Sequence, residues 1–135
     1  MMEAMDVRAI VDQHAPRLKK AIGIERWDVR ITVERCPEQV KGQCEADPRY
    51  MIAEIQIDPE HAEDEDDVVK TLRHEMLHVL VSQFEVYRAA VHHLVDSEDA
   101  LNAIDEVWTF ATENVVHNIE TALDQSSYNL DYMST

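Results

Sequence analysis

Apolar positions change their period along the chain, and each change marks an element. Val7, Ile10, Val11, Leu18 and Ile22 recur at helical spacing over residues 3–22, and Gly23 stands where a helix closes on a left-handed residue. Pro16 falls within this stretch and is expected to interrupt the helix or restart it. From Trp27 the period drops to two. Trp27, Val29, Ile31 and Val33 then share one side and Asp28, Arg30, Thr32 and Glu34 the other, which predicts a strand with one wet face. Residues 37–42 read as a turn, 43–46 as a short second strand and Asp47-Pro48-Arg49 as a second turn. Met51, Ala53, Ile55 and Ile57 alternate again in a third strand that stops at Asp58-Pro59.

Helical spacing returns with Val69, Leu72, Met76, Leu80 and Phe84 and extends toward Leu94. Asp64, Glu65, Asp66 and Asp67 precede it, where carboxylates meet the positive end of the helix dipole; their order lacks the ligand spacing of a calcium loop. After Asp96-Ser97, a third helix is predicted by the stripe Leu101, Ile104, Trp108, Ala111, Val115, Ile119 and Ala122. Residues 126–135 are polar apart from Tyr128, Leu130, Tyr132 and Met133 and read as a tail. The pattern thus predicts an α+β fold with an N-terminal helix, a small sheet of three or four strands, a central helix and a C-terminal helix. No repeat or linker divides it, so residues 1–125 are expected to form one domain followed by the 126–135 tail.

Charge narrows the partners. The 135 residues include 12 basic and 28 acidic side chains, a formal charge of −16. Such a charge opposes approach to phosphate, which argues against nucleic acid and anionic membrane surfaces. It is compatible with a preference for basic peptides, or simply with charge scattered over the surface. Apolar runs are only a few residues long, and the first six residues lack the basic and apolar regions of a secretory signal, so the expected compartment is cytoplasmic. Cys36 and Cys44 fit neither a zinc knuckle nor a redox pair and are expected as reduced thiols, with a cross-strand disulfide the alternative in an oxidising compartment.

The chemistry lies in the central helix, where His74-Glu75-Met76-Leu77-His78 has the form H-E-x-x-H. Residues four apart share a helix face, so His74 and His78 can each aim a nitrogen at one ion about 2 Å away. Glu75 lies about 100° further round, poorly placed as a ligand yet near enough to touch a water at the ion. The plainer alternative is a histidine pair hydrogen-bonding on a partly polar face. Neighbouring Leu72, Met76, Leu77 and Leu80 argue for a near-core position, where unpartnered ionisable groups are costly and a divalent cation would satisfy them. A catalytic zinc takes three protein ligands and keeps a position for water. No third histidine follows His78 closely, and the last helix offers Glu106 and Glu113, two turns apart on nearly one face.

The order of helix, Trp-led strand, hairpin, H-E-x-x-H helix and glutamate-bearing helix, over roughly residues 5–122, resembles the minimal gluzincin metallopeptidases, small relatives of the thermolysin catalytic subdomain often encoded by phages and prokaryotes. In that family the ligand glutamate precedes a Val-Val or Ile-Val pair and a further apolar position, a pattern matched by Glu113-Asn114-Val115-Val116 with Ile119. Glu106, followed by Val107-Trp108-Thr109, fits less well. The resemblance implies Zn2+ held by His74, His78 and Glu113, with Glu75 as general base in hydrolysing the peptide bonds of a peptide or protein substrate. Larger gluzincins carry an aspartate four residues after the ligand glutamate, bonded to a ligand histidine; this chain has His117 there.

Tyr87, His93 and His117 are the candidates for stabilising the oxyanion, and His92 and His93 diverge too far to share a metal. A substrate strand is expected to add to a sheet edge near residues 43–46 or 51–57. The alternative function is a gluzincin-like, zinc-binding scaffold with a binding or assembly role and little turnover; a third is a metal-free helical interaction module.

Overall fold

The computed structural model describes residues 1–125; the expected tail at 126–135 lies outside the described residues. Helix α1 (Ala4–Ile22) leads into strands β1 (Asp28–Val33), β2 (Gly42–Asp47) and β3 (Ile52–Ile57), followed by helices α2 (Glu65–Val81), α3 (Glu85–Leu94) and α4 (Glu98–Gln125). The fold is α+β, and its sheet has three strands among the described residues, in the order β1-β3-β2. β3 runs parallel to β1, with Ile31 opposite Ile55, and antiparallel to β2, with Cys44 opposite Ile55. β3 is therefore central, and β1 and β2 each keep an edge that no described strand pairs.

The alternation read from the sequence sets which face of the sheet is covered. Ala53, Ile55 and Ile57 of β3 are buried against Val7, Val11 and Leu18 of α1 and Val68, Val69, Leu72 and Met76 of α2. Trp27 and Ile24 close one end of this core. Burying a side chain such as Leu72 or Met76 is worth about 1.5–3 kcal/mol relative to exposure, so this face fixes how α2 lies on the sheet. Arg30, Glu54 and Gln56 line the other, open face.

Three expectations change. Pro16 sits inside α1 without interrupting it. Proline removes one helical hydrogen bond to the residue four earlier, here Asp12, and both residues are exposed, so the freed carbonyl meets water while Val11, His14 and Leu18 hold the buried face. The central helix does not run on to Leu94. Ser82 turns its hydroxyl back onto the Val79 carbonyl at 2.6 Å, a single 3₁₀ turn follows at Ser82–Phe84, and α3 begins at Glu85. In α4 the stripe is offset: Val116 is the buried residue, whereas Ala111, Val115 and Ala122 are exposed. Only the second half of α4 meets the core, where Val116 and Ile119 pack on Leu77 and Val81 of α2.

Gly23 closes α1 as predicted, at φ 86° with its N–H donated to the Lys19 and Lys20 carbonyls. At the start of α2, Asp64 accepts from the Asp67 N–H at 2.8 Å, and Asp67 accepts in turn from the Glu63 N–H at 3.0 Å. The acidic run thus caps a helix. Cys36 and Cys44 are free thiols. No helix among the described residues is long and apolar enough to cross a membrane.

Candidate metal centre

α2 places His74 and His78 one turn apart with their Nε2 atoms 3.2 Å from each other and their rings nearly perpendicular, at 68°. α4 crosses this face and brings Glu113, whose Oε1 lies 3.1 Å from His78 Nε2 and whose Oε2 lies 3.9 Å from His74 Nε2. One donor atom from each of the three residues falls within 4.8 Å of the others. Two ligands held tetrahedrally at about 2 Å from zinc stand about 3.3 Å apart, so the spacing suits a small divalent cation.

Proton placement strengthens that fit. Glu120 Oε1 lies 2.5 Å from His74 Nδ1. Assigning the Nδ1 proton to this bond leaves a neutral His74 with its Nε2 lone pair directed toward His78 and Glu113. Burial lowers the pKa of His78, with Glu113 acting against it, which favours the neutral ring. A proton on His78 Nε2 serves His74 or Glu113 but not both. Two imidazole nitrogens and a carboxylate converging on one point form a donor set that could hold a divalent cation.

Glu75 points from the same helix toward β2 and is buried. Burial pushes its carboxyl up to about 7; His74 opposes the shift, while Glu113 and Glu120 add to it. The close approach of β2 depends on Gly42. A Cβ there would come within 3.0 Å of Thr71 Cγ2, 3.1 Å of the Gln56 carbonyl and 3.3 Å of Glu75 Cγ. Between β2 and the helices runs an open cleft of about 670 Å³, walled by Gly42, Gln43, Cys44 and Thr71 together with His74, Glu75 and His78 of the motif and Glu113 and Glu120 of α4. A second depression of about 690 Å³ adjoins it, sharing Cys44 and His78 in its walls.

Of the residues singled out by sequence, His74, His78 and Glu113 meet at one point, with Glu75 beside them. Glu106 is exposed two turns before Glu113 and outside the group. Tyr87, His93 and His117 are exposed and do not line the cleft; its outer cations are Lys41, on Asp67 at 2.8 Å, and Lys70, on Asp66 at 3.0 Å. His92 bonds Asp105 at 2.8 Å. β3 (Ile52–Ile57) is the central strand, so of the two stretches expected to take a substrate strand only 43–46, in β2, lies at an edge of the sheet. The sequence reading missed Glu120. Position 117 offers no carboxylate to His74, and Glu120, seven residues after Glu113 and so two turns along the same face, bonds its Nδ1. Arg73, buried on α2 and 2.7 Å from Asp124, helps hold this end of α4.

No protein-family model, curated protein or solved structure matches this chain.

Proposed function

We propose that the chain is a gluzincin-type zinc metallopeptidase working in the cytoplasm, with His74, His78 and Glu113 as ligands and Glu75 as general base. The observation that carries this reading is the convergence of the two Nε2 atoms and the Glu113 carboxylate at the wall of an open cleft. When bound, zinc supplies Lewis acidity, lowering the pKa of water and drawing charge from a carbonyl oxygen. Glu75 takes a proton from the attacking water as its oxygen bonds to the peptide carbonyl carbon. It then gives that proton to the amide nitrogen as the C–N bond breaks. A carboxyl poised near 7 suits both transfers, and a cation beside it draws the value down toward the base form. The unpaired edge of β2, along Gln43 and Cys44, supports binding of the substrate backbone as an added strand.

A second reading, a zinc-holding scaffold with little turnover, draws on one observation: Tyr87, His93 and His117 all lie away from the cleft. Metal analysis of the purified chain paired with cleavage of a peptide library separates the two. The expected result is one zinc per chain and cleavage that Glu75→Gln lowers by about 10²–10⁴-fold with zinc retained. Zinc without cleavage would establish the scaffold reading, and a chain that takes up no zinc would overturn both.

A further inference from the structure

Helix α3 is amphipathic, yet none of its residues is buried. Phe84, Tyr87, Val91 and Leu94, spaced three, four and three residues apart, form one stripe, and Phe84, Tyr87 and Leu94 are 56%, 66% and 84% exposed. The adjoining side, about 100° round the helix, is fastened to α4: Arg88 and His92 both reach Asp105, and Trp108 donates to Glu85 at 3.0 Å. These polar contacts hold the stripe outward, where no described residue covers it.

We infer that this stripe is the seam of a homodimer, in which α3 packs on α3 of a second copy. Alternating three- and four-residue spacing is what lets the side chains of two helices interdigitate along a seam. Covering the stripe and its flanks on both copies removes on the order of 1,000 Å² from water, the size at which a specific pair begins to hold. Charge leaves this face open to a second copy. The chain carries −16, which repels a second copy over most of its surface, but residues 83–95 carry Glu85 and Arg88 as their only formal charges and sum to zero. An anionic membrane is repelled by the whole molecule, and a basic partner has stronger attractions elsewhere on it.

Sedimentation of the full chain over a range of concentration and salt tests the inference without reference to zinc. The expected result is a reversible monomer–dimer equilibrium that tightens as salt rises, because screening removes repulsion between the two acidic bodies. Tyr87→Glu and Leu94→Glu each weaken it by about tenfold or more, while Phe110→Glu, an exposed apolar position on α4, leaves it unchanged. Circular dichroism of the variants matches wild type, since the substituted side chains are largely exposed. A chain that stays monomeric at every concentration and salt overturns the inference. So does association that loosens with salt, or that Phe110→Glu disrupts as strongly as Leu94→Glu.

Discussion

His74 has a nitrogen on each side of its ring, and α4 supplies a carboxylate for each: Glu113 toward Nε2 and Glu120 on Nδ1. Glu120 is partly shielded from water, so its bond to Nδ1 fixes both the tautomer and the ring orientation. Glu120→Ala is therefore expected to weaken zinc binding by about 10–100-fold, read by competition with a chelator. Glu120→Gln, which keeps an acceptor oxygen but not the charge, should recover part of the loss, whereas a merely structural role would give no such graded recovery. The histidines were legible in the sequence because their spacing is a property of one helix. Choosing Glu113 over Glu106 needed the resemblance, since the crossing point of two helices is not written in either. Glu120 is hidden for a related reason: the resemblance points to position 117, while the side chain that reaches His74 lies a turn further on. Gly42 read as part of a turn; its small size matters because Thr71 and Glu75 press against it.

At the scale of elements, α2 has to present its motif at a fixed height above β2, and its first turn is where it is tied to the strand's lead-in. Lys41 donates to Asp67 at 2.8 Å, and Asp58, itself buried, accepts from the Cys36 N–H while its own N–H meets the Lys41 carbonyl. Burial alone would raise the Asp67 carboxyl, but the bonds from Lys41 and the Glu63 N–H outweigh it and hold it below its ordinary value. The bond to Asp67 raises Lys41 in turn. Stability from a depressed carboxyl is present above its unfolded pKa and is lost as pH falls through the folded one; for a raised lysine the loss comes as pH rises. Lys41→Met should thus cost about 0.5–1 kcal/mol on the plateau between roughly pH 4 and pH 10, with the gap to wild type closing in acid. Urea melts near neutrality and below the Asp67 transition measure it, and a gap that persists in acid would remove the ion pair as its cause. The elements themselves were readable because period two and period 3.6 are local. The end of α2 was not, because a serine hydroxyl turned onto Val79 leaves no mark in the apolar spacing that continues through Phe84 and Leu94.

At the scale of the whole molecule, the centre is divided between two bodies: α2 belongs to the main core with the sheet and α1, and α4 is attached by a second, small cluster of Leu77, Val81 and Val116 with the Arg73–Asp124 pair beside it. The offset of the α4 stripe follows from this attachment. Only its second half packs on the core, its first half meeting α3 through Asp105 and Trp108, and the register that buries Val116 is also the one that turns Glu113 and Glu120 toward the histidines. If the proposed zinc site holds, helix docking and metal binding make separate contributions that two substitutions can distinguish. Zinc at about a hundredfold above its dissociation constant adds about 2.7 kcal/mol to a chain that binds it only when folded, a rise in Tm of roughly 10 °C at this length. Val116→Ala removes buried methyl groups and is expected to cost about 1–2 kcal/mol in chelated and zinc-loaded protein alike, leaving that rise in place. Glu113→Ala should do the reverse. Its side chain is half exposed and lies near Glu75 and Glu120, so the chelated protein melts close to wild type, while the zinc-induced rise falls by more than half. Calorimetry with chelator and with excess zinc reads both, and a full rise in Glu113→Ala would take the third ligand away from α4.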